Sequence, residues 1–222
     1  MTVSYTLHKP ARKTYPRNKY LVTNIDDLFQ ADLINLKNLK SHNDGFGYLL
    51  TVIDVFSKYT WAKPLRTKGG GEVARSFEEI FEDRVPRNVQ TDKGKKFLAG
   101  TVQRLSKRHG INFYVAKNPD VKAAVIERFN KTLKTKMFKY FTVKNTYRYV
   151  DVLEDMVDSY NDSYHRTIKM TPRDVDEDNV LRVYRNARAS IFSRRAAPKC
   201  RVGDYVRISK YVQRRLREGI RE

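Results

Sequence analysis

Between Leu28 and Leu65 the apolar residues come in short unbroken runs separated by turn formers, and from Gly70 onward they change to a spacing of three and four. Short runs of that kind are buried strands and the wider spacing is one face of a helix, so the order of the two patterns dictates the fold. "LFQADLINL", Leu28 to Leu36, is apolar on both faces and is predicted as a strand with Asp32 inside it. A polar connection, "KSHNDG", leads to "GFGYLLTVIDVFSKYTWAKPL", whose β-rich halves flank Ser57-Lys58 as a hairpin. Three antiparallel strands are thereby expected. Val73, Phe77, Ile80 and Phe81 then fall at i, i+4, i+7 and i+8 after a glycine run, which predicts an amphipathic helix. A strand "NVQTD", a helix "FLAGTVQRLSKRHG" closed by Gly110, and a fifth strand "INFYVAK" follow. Asn118-Pro119 breaks the chain, Asp120 can cap the next helix, and that helix is expected to run from Val121 to about Thr142. A further helix, "YVDVLEDMVDSYNDSYH", places Val152, Met156, Val157 and Tyr160 on one face, and Thr171-Pro172 reads as the start of a short one. The expected class is α/β: a mixed sheet covered by helices on both sides.

Charge narrows the partners. The 222 residues hold 45 Lys and Arg against 25 Asp and Glu, a formal charge of +20, and the natural partner of such a surface is a polyanion such as nucleic acid. Residues 182 to 222 carry 13 of the basic residues and 3 of the acidic ones, half of the whole excess. Clustered arginine suits bidentate phosphate contacts, so this tail reads as a nucleic-acid-binding arm, with simple solubilisation as the alternative. The longest apolar run, around Gly47 to Ile53, is too short to span a bilayer, and no membrane association is expected. The amino terminus has no apolar signal core, which points to an intracellular protein. Cys200 is the sole cysteine and His8, His42, His109 and His165 are scattered, so no structural zinc is expected. Composition divides the chain into a basic arm over 1–20, a core over 21–176, a basic linker over 177–198 and a terminal segment over 199–222.

Three carboxylates stand out by position: Asp32 inside the first strand, Asp92 at the end of the fourth, and Glu127 on the helix after the fifth. Ionised carboxylates at strand centres and ends need a partner, and a divalent metal is a common one. Two metals flanked by such acids can activate the attacking oxygen and stabilise the leaving oxygen in phosphoryl transfer. Each acid also has a plainer reading. Asp92 in "TDKGKKF" suits a turn or cap, and Glu127 can pair with Lys131 at i+4. Asp26 and Asp27 precede the first strand as solvated acids, and Asp54 at the hairpin end reads as structural. Trp61 and Tyr114 are read as packing residues in preference to base-stacking ones.

"LFQADLINL", "YLLTVIDVFSKYTWAKPL", "VQTDKGKKF", "NPDVKAAVIERFNKTLK" and "YNDSYHRTIKMTPRDV", in that order, resemble the catalytic core of retroviral-type integrases, most of all those of Maverick/Polinton DNA transposons. The resemblance covers about residues 8 to 176. It implies a ribonuclease H-like fold and a D,D,E active site of Asp32, Asp92 and Glu127 binding two Mg²⁺ or Mn²⁺ ions. Lysines four and seven residues after the glutamate meet the DNA end in that family, which assigns Lys131 and Lys134 to DNA, with a solvated Glu/Lys face as the alternative. Lys117 and Lys122 are expected to add phosphate contacts, and Asn130 is counted with these DNA-binding residues, where it would orient the site, with capping of a side-chain network as the alternative. "RVGDYVRISK" is similar to the start of the SH3-like DNA-binding domain that follows such cores, so 199–222 is expected to be a partial SH3-like segment.

The implied activity is polynucleotidyl transfer: metal-dependent processing of a mobile element's 3′ end, then attack of the freed 3′-hydroxyl on target DNA. The implied partners are double-stranded DNA, both element ends and target, and further copies of the chain. A nuclear location follows from the substrate. Two other readings stand beside this one: a ribonuclease H-like nuclease that cuts without joining, and a DNA-binding protein of transposon origin without catalysis.

Overall fold

The computed structural model describes residues 22–91, 97, 99–115 and 123–192. The basic arm, Asp92, Lys117, Asp120, Lys122 and the SH3-like segment lie outside the described residues. Strands β1 (Phe29–Asn35), β2 (Tyr48–Asp54), β3 (Thr60–Leu65), β4 (Asn88–Thr91) and β5 (Asn112–Val115) form one sheet in the order β3-β2-β1-β4-β5. The first three are antiparallel, while β4 pairs parallel with both β1 and β5. Hence the sheet is mixed, as the pattern of runs predicts, and β1 sits at its centre with Asp32 at mid-strand.

Helices cover both faces because strand side chains alternate. Phe29, Ala31 and Leu33 point to one side, where they pack with Val73, Phe77, Ile80 and Phe81 of α1 (Gly70–Asp83) and Val102 and Leu105 of α2 (Gly100–Arg108). Ile34, Leu49 and Ile53 point to the other side, against Ile126, Phe129, Leu133, Met137 and Phe141 of α3 (Ala124–Lys144) and Met156 and Val157 of α4 (Leu153–Asn161). Burying each such side chain contributes roughly 1.5–3 kcal/mol, so the two clusters fix the layers. The start of α1 lies so close to Ala99 that a Cβ on Gly70 would stand 2.3 Å from the alanine's Cβ. Gly110 follows α2 at φ +65° and donates its N–H to the Lys107 carbonyl, the expected left-handed stop.

The hairpin is held by Asp54, fully buried at the end of β2. Its carboxylate accepts from the Phe56 and Ser57 amides, from Ser57 Oγ at 2.6 Å and from Arg84 at 2.8 Å. Arg84 also pairs with Asp26 at 2.6 Å, and Asp27 accepts from Thr23 Oγ1 and the Asn24 amide. These three acids are structural. Trp61 is buried, 5.0 Å from Phe29 by ring centroids, and donates its indole N–H to Asp83. Tyr114 lies on the edge strand β5 and is 37% exposed as a residue, less enclosed than Trp61.

The carboxyl-terminal part differs most from expectation. Thr171-Pro172 opens a turn, with the Asp174 amide donating to Thr171 Oγ1, and no helix starts there. Asp176 forms a capping box with Asn179, and after one 3₁₀ turn α5 (Val180–Phe192) begins. Most of the stretch read as a linker is therefore helical, and Val183 is buried with Phe56, Ile168 and Val175. The chain divides into two compact units at Ile191/Phe192, within α5 and inside the basic stretch.

Candidate active site

Asp32 and Glu127 reach one groove. Asp32 to Asn35 form one wall from β1, and α3 forms the other through Glu127, Asn130, Lys131, Lys134, Thr135, Phe138, Lys139 and Thr142. Steps of three and four residues keep that set on a single helical stripe, beside the stripe that packs on the sheet. The groove encloses about 770 Å³ and is open to solvent. Lys131 and Lys134 are exposed along it.

Asp32 is held from two sides. Its Oδ1 accepts from the Leu33 amide at 2.7 Å, and its Oδ2 accepts from Asn130 Nδ2 at 2.8 Å. Thr51 on β2, directly opposite Asp32 in the register, donates its hydroxyl to Asn130 Oδ1 at 2.8 Å. Asn130 is only 7% exposed and is bound at both ends of its amide, which holds Asp32 and Thr51 together at the buried side of the groove wall. A carboxylate oxygen has two lone pairs, so the Asp32 group can ligate a cation while keeping these hydrogen bonds.

Glu127 lies in the first turn of α3, exposed, where the helix dipole favours a negative charge. Among the described residues it forms no ion pair, with Lys131 or with any other cation. The helix starts at Ala124, three residues later than the sequence suggests, and its N-cap Ala123 supplies no side-chain cap. The missing acceptor comes from the sheet. Gln30 Oε1, fully buried two residues before Asp32, accepts from the Val125 and Ile126 amides at 3.2 Å each, while Gln30 Nε2 donates to Gln90 Oε1 at 3.0 Å. Gln30 pairs with Gln90 in the parallel register, and the next pair, Ala31 with Thr91, ends the described part of β4 one residue short of Asp92.

Among the described residues the groove lining offers carboxylate oxygens and no His or Cys, a hard donor set that suits Mg²⁺ or Mn²⁺ better than zinc. No group of three or more His, Cys, Asp or Glu is placed to hold a metal among the described residues, which do not include Asp92. Lys117 and Lys122 also lie outside. The sequence reading missed Gln30, Gln90, Thr51 and Phe138, the last 56% exposed in the groove. One signal was present: Gln-x-Asp occurs twice in the sequence, as Gln30-Ala31-Asp32 and Gln90-Thr91-Asp92.

A central antiparallel strand carrying an acid, flanked by a parallel strand and covered by a helix with a second acid, is the arrangement of a ribonuclease H-like α/β fold. The catalytic core of bovine immunodeficiency virus integrase superposes with a TM-score of 0.54 at 19% identity, covering 67% of this chain and 91% of that one. The HTLV-2 integrase core, solved in complex with magnesium in a trimeric form, gives 0.56 at 17%, covering 67% and 94%. By sequence, residues 23–118 match the Integrase core domain family, a span that contains Asp32 and Asp92 and ends before Glu127. A transposon-derived protein of Caenorhabditis elegans is 35% identical over 176 residues, 78% of this chain and 59% of that protein. The Pol polyprotein of feline endogenous virus ECE1 is 33% identical over 110 residues, 48% of this chain and 10% of the polyprotein. The chain thus spans about three fifths of the nematode relative and a small part of the viral one.

Proposed function

We propose that this protein is a DNA integrase: a polynucleotidyl transferase that processes the 3′ ends of a mobile element of the Maverick/Polinton kind and joins them to target DNA. The observation that carries the reading is the groove that unites Asp32, Glu127, Asn130, Lys131 and Lys134 from two elements far apart in sequence. Asp32, Asp92 and Glu127 would hold Mg²⁺ or Mn²⁺, which when bound activates the attacking oxygen and stabilises the leaving one. Asn130 and the Leu33 amide keep Asp32 in one rotamer, so that its carboxylate stays aimed at the groove. Lys131 and Lys134 hold the phosphates of the DNA end along α3, and Lys117, Lys122 and the basic tail add contacts that do not depend on sequence.

The chemistry balances without a covalent enzyme intermediate. Water forms a new P–O bond near the element's end, the bond to the 3′ oxygen breaks, and that oxygen leaves as a 3′-hydroxyl. The hydroxyl then attacks a target phosphodiester in line, one P–O bond forming as another breaks. Assembly of several copies on two DNA ends, and work in the nucleus, complete the proposal.

The test is incubation of the chain with labelled duplex and Mg²⁺ or Mn²⁺, beside Asp32→Asn, Asp92→Asn and Glu127→Gln. Joined products from wild type alone support the integrase. Nicked products without joining indicate a nuclease, and equal DNA binding by all four with no product indicates a DNA-binding protein.

A further inference from the structure

Resting on the reading above, we infer that Gln30 is a positioning residue, working with Gln90, that sets where Glu127 stands relative to Asp32. Three observations carry this. Gln30 and Gln90 are 0% and 1% exposed, and a buried amide persists only when its polar atoms are satisfied. Gln30 spends its acceptor on the Val125 and Ile126 amides and its donor on Gln90, so one side chain ties β1, β4 and the first turn of α3 together. These are the two strands whose sequences run into Asp32 and Asp92, and the helix turn that contains Glu127.

Helix starts leave four amides without partners, and a local Ser, Thr, Asp or Asn normally supplies the acceptor. Here Ala123 cannot. Because the acceptor sits on the neighbouring strand, the axial position and rotation of α3 are referred to β1 at a point two residues from Asp32. A locally capped helix would be free to shift along the sheet by the small distances its apolar contacts tolerate. This one carries its carboxylate in register with the strand, in the way that outer partners of metal ligands fix ligand geometry.

Wild type, Gln30→Met, Gln30→Glu and Gln90→Met are compared as full chains by thermal unfolding without metal, by calorimetric titration with Mn²⁺, and by the Mn²⁺ dependence of joining. Gln30→Met keeps the volume and removes both polar interactions. Its Mn²⁺ affinity should fall about 10- to 100-fold, the range seen when outer partners of metal ligands are removed. Gln30→Glu retains an oxygen for the two amides at the positive helix end and should restore most of the affinity. Gln90→Met leaves Gln30 as cap but frees it from β4, so an intermediate loss is expected. If Gln30→Met fails to fold, Gln90→Met and Gln30→Glu decide. Variants that melt earlier yet titrate Mn²⁺ as wild type does would show the pair to be structural only and overturn the inference. Wild type that binds no Mn²⁺ and joins no DNA would instead overturn the functional reading, and the inference with it.

Discussion

Asn130 and Asp32, 98 residues apart in the chain, are joined by a 2.8 Å hydrogen bond from the amide Nδ2 to the carboxylate Oδ2. A hydrogen bond to an ionised group is worth about 1.5–3 kcal/mol, enough to hold one rotamer against the others open to an aspartate. The ionised carboxylate can only accept, so it fixes which end of the Asn130 amide faces it, and Thr51 completes the relay by donating to the other end.

Replacing Asn130 by Leu should therefore reduce joining by about 10- to 100-fold while DNA affinity stays near wild type, since its buried amide is taken up by Asp32 and Thr51. Single-turnover joining and fluorescence anisotropy on the same DNA separate the two effects. A variant that loses binding and keeps its rate would mark Asn130 as a DNA contact.

The lysines of the groove make a prediction of another kind. Lys131 and Lys134 are exposed beside Glu127, whereas Lys136 lies off the groove with its ammonium on Ser159 Oγ at 3.0 Å. Removing a lysine that neutralises one phosphate should lower the slope of log affinity against log salt by about 0.9. Lys131→Ala and Lys134→Ala should each show that drop in anisotropy titrations over a range of KCl, and Lys136→Ala should not. Equal slopes for all three would remove α3 from the DNA path.

Much of this was written in the sequence, and the remainder had a physical reason for being hidden. Strand runs and helix periods locate β1 to β5, α1 and α2 because these elements bury a continuous face, β5 at the sheet edge only in part, and Asp32 stands out because a mid-strand charge is costly. The start of α3 was misplaced because its cap comes from Gln30, 94 residues before the helix begins, and a tertiary cap leaves no local signature. Helix α5 was missed for another reason: among its described side chains only Val183 is fully buried, along a stretch rich in Arg and Asn, so its apolar period is faint. Repetition of Gln-x-Asp in the sequence was legible, but only the parallel pairing of Gln30 with Gln90 gives it meaning.

Arg84 bears on stability and not on the groove. Its guanidinium bridges Asp26 and the fully buried Asp54, on the sheet face of Phe29 and Trp61, away from α3. Burial pushes the Asp26 carboxyl up, with Arg84 pulling the other way. Losing the cation leaves a buried carboxylate partly uncompensated, so Arg84→Met should cost about 3–5 kcal/mol. Urea unfolding measures it, and DNA affinity of the folded fraction should be unchanged. A loss below about 1 kcal/mol, the level of an exposed pair, would contradict this placement.

His165 supplies a pH dependence. It lies half-buried in the loop closed by its bridge to Met170, and its Nδ1 accepts from the Thr167 amide at 3.3 Å. Burial first, then the cations Lys58, Arg128 and Arg166, push its pKa from 6.5 down to about 4. Between those values the unfolded chain binds the proton that the folded chain refuses, so stability rises with pH across the window and is lost as pH falls from 6.5 toward 4. The contribution is on the order of 1–3 kcal/mol. His165→Asn keeps an acceptor for Thr167 and does not titrate, so the stability difference between wild type and variant should shift against wild type as pH drops from neutral through this window. Urea unfolding of both proteins at stepped pH reads that difference, with the carboxylates common to both cancelling. A difference that stays constant with pH would mean that the histidine accepts its proton in the folded protein as readily as in water.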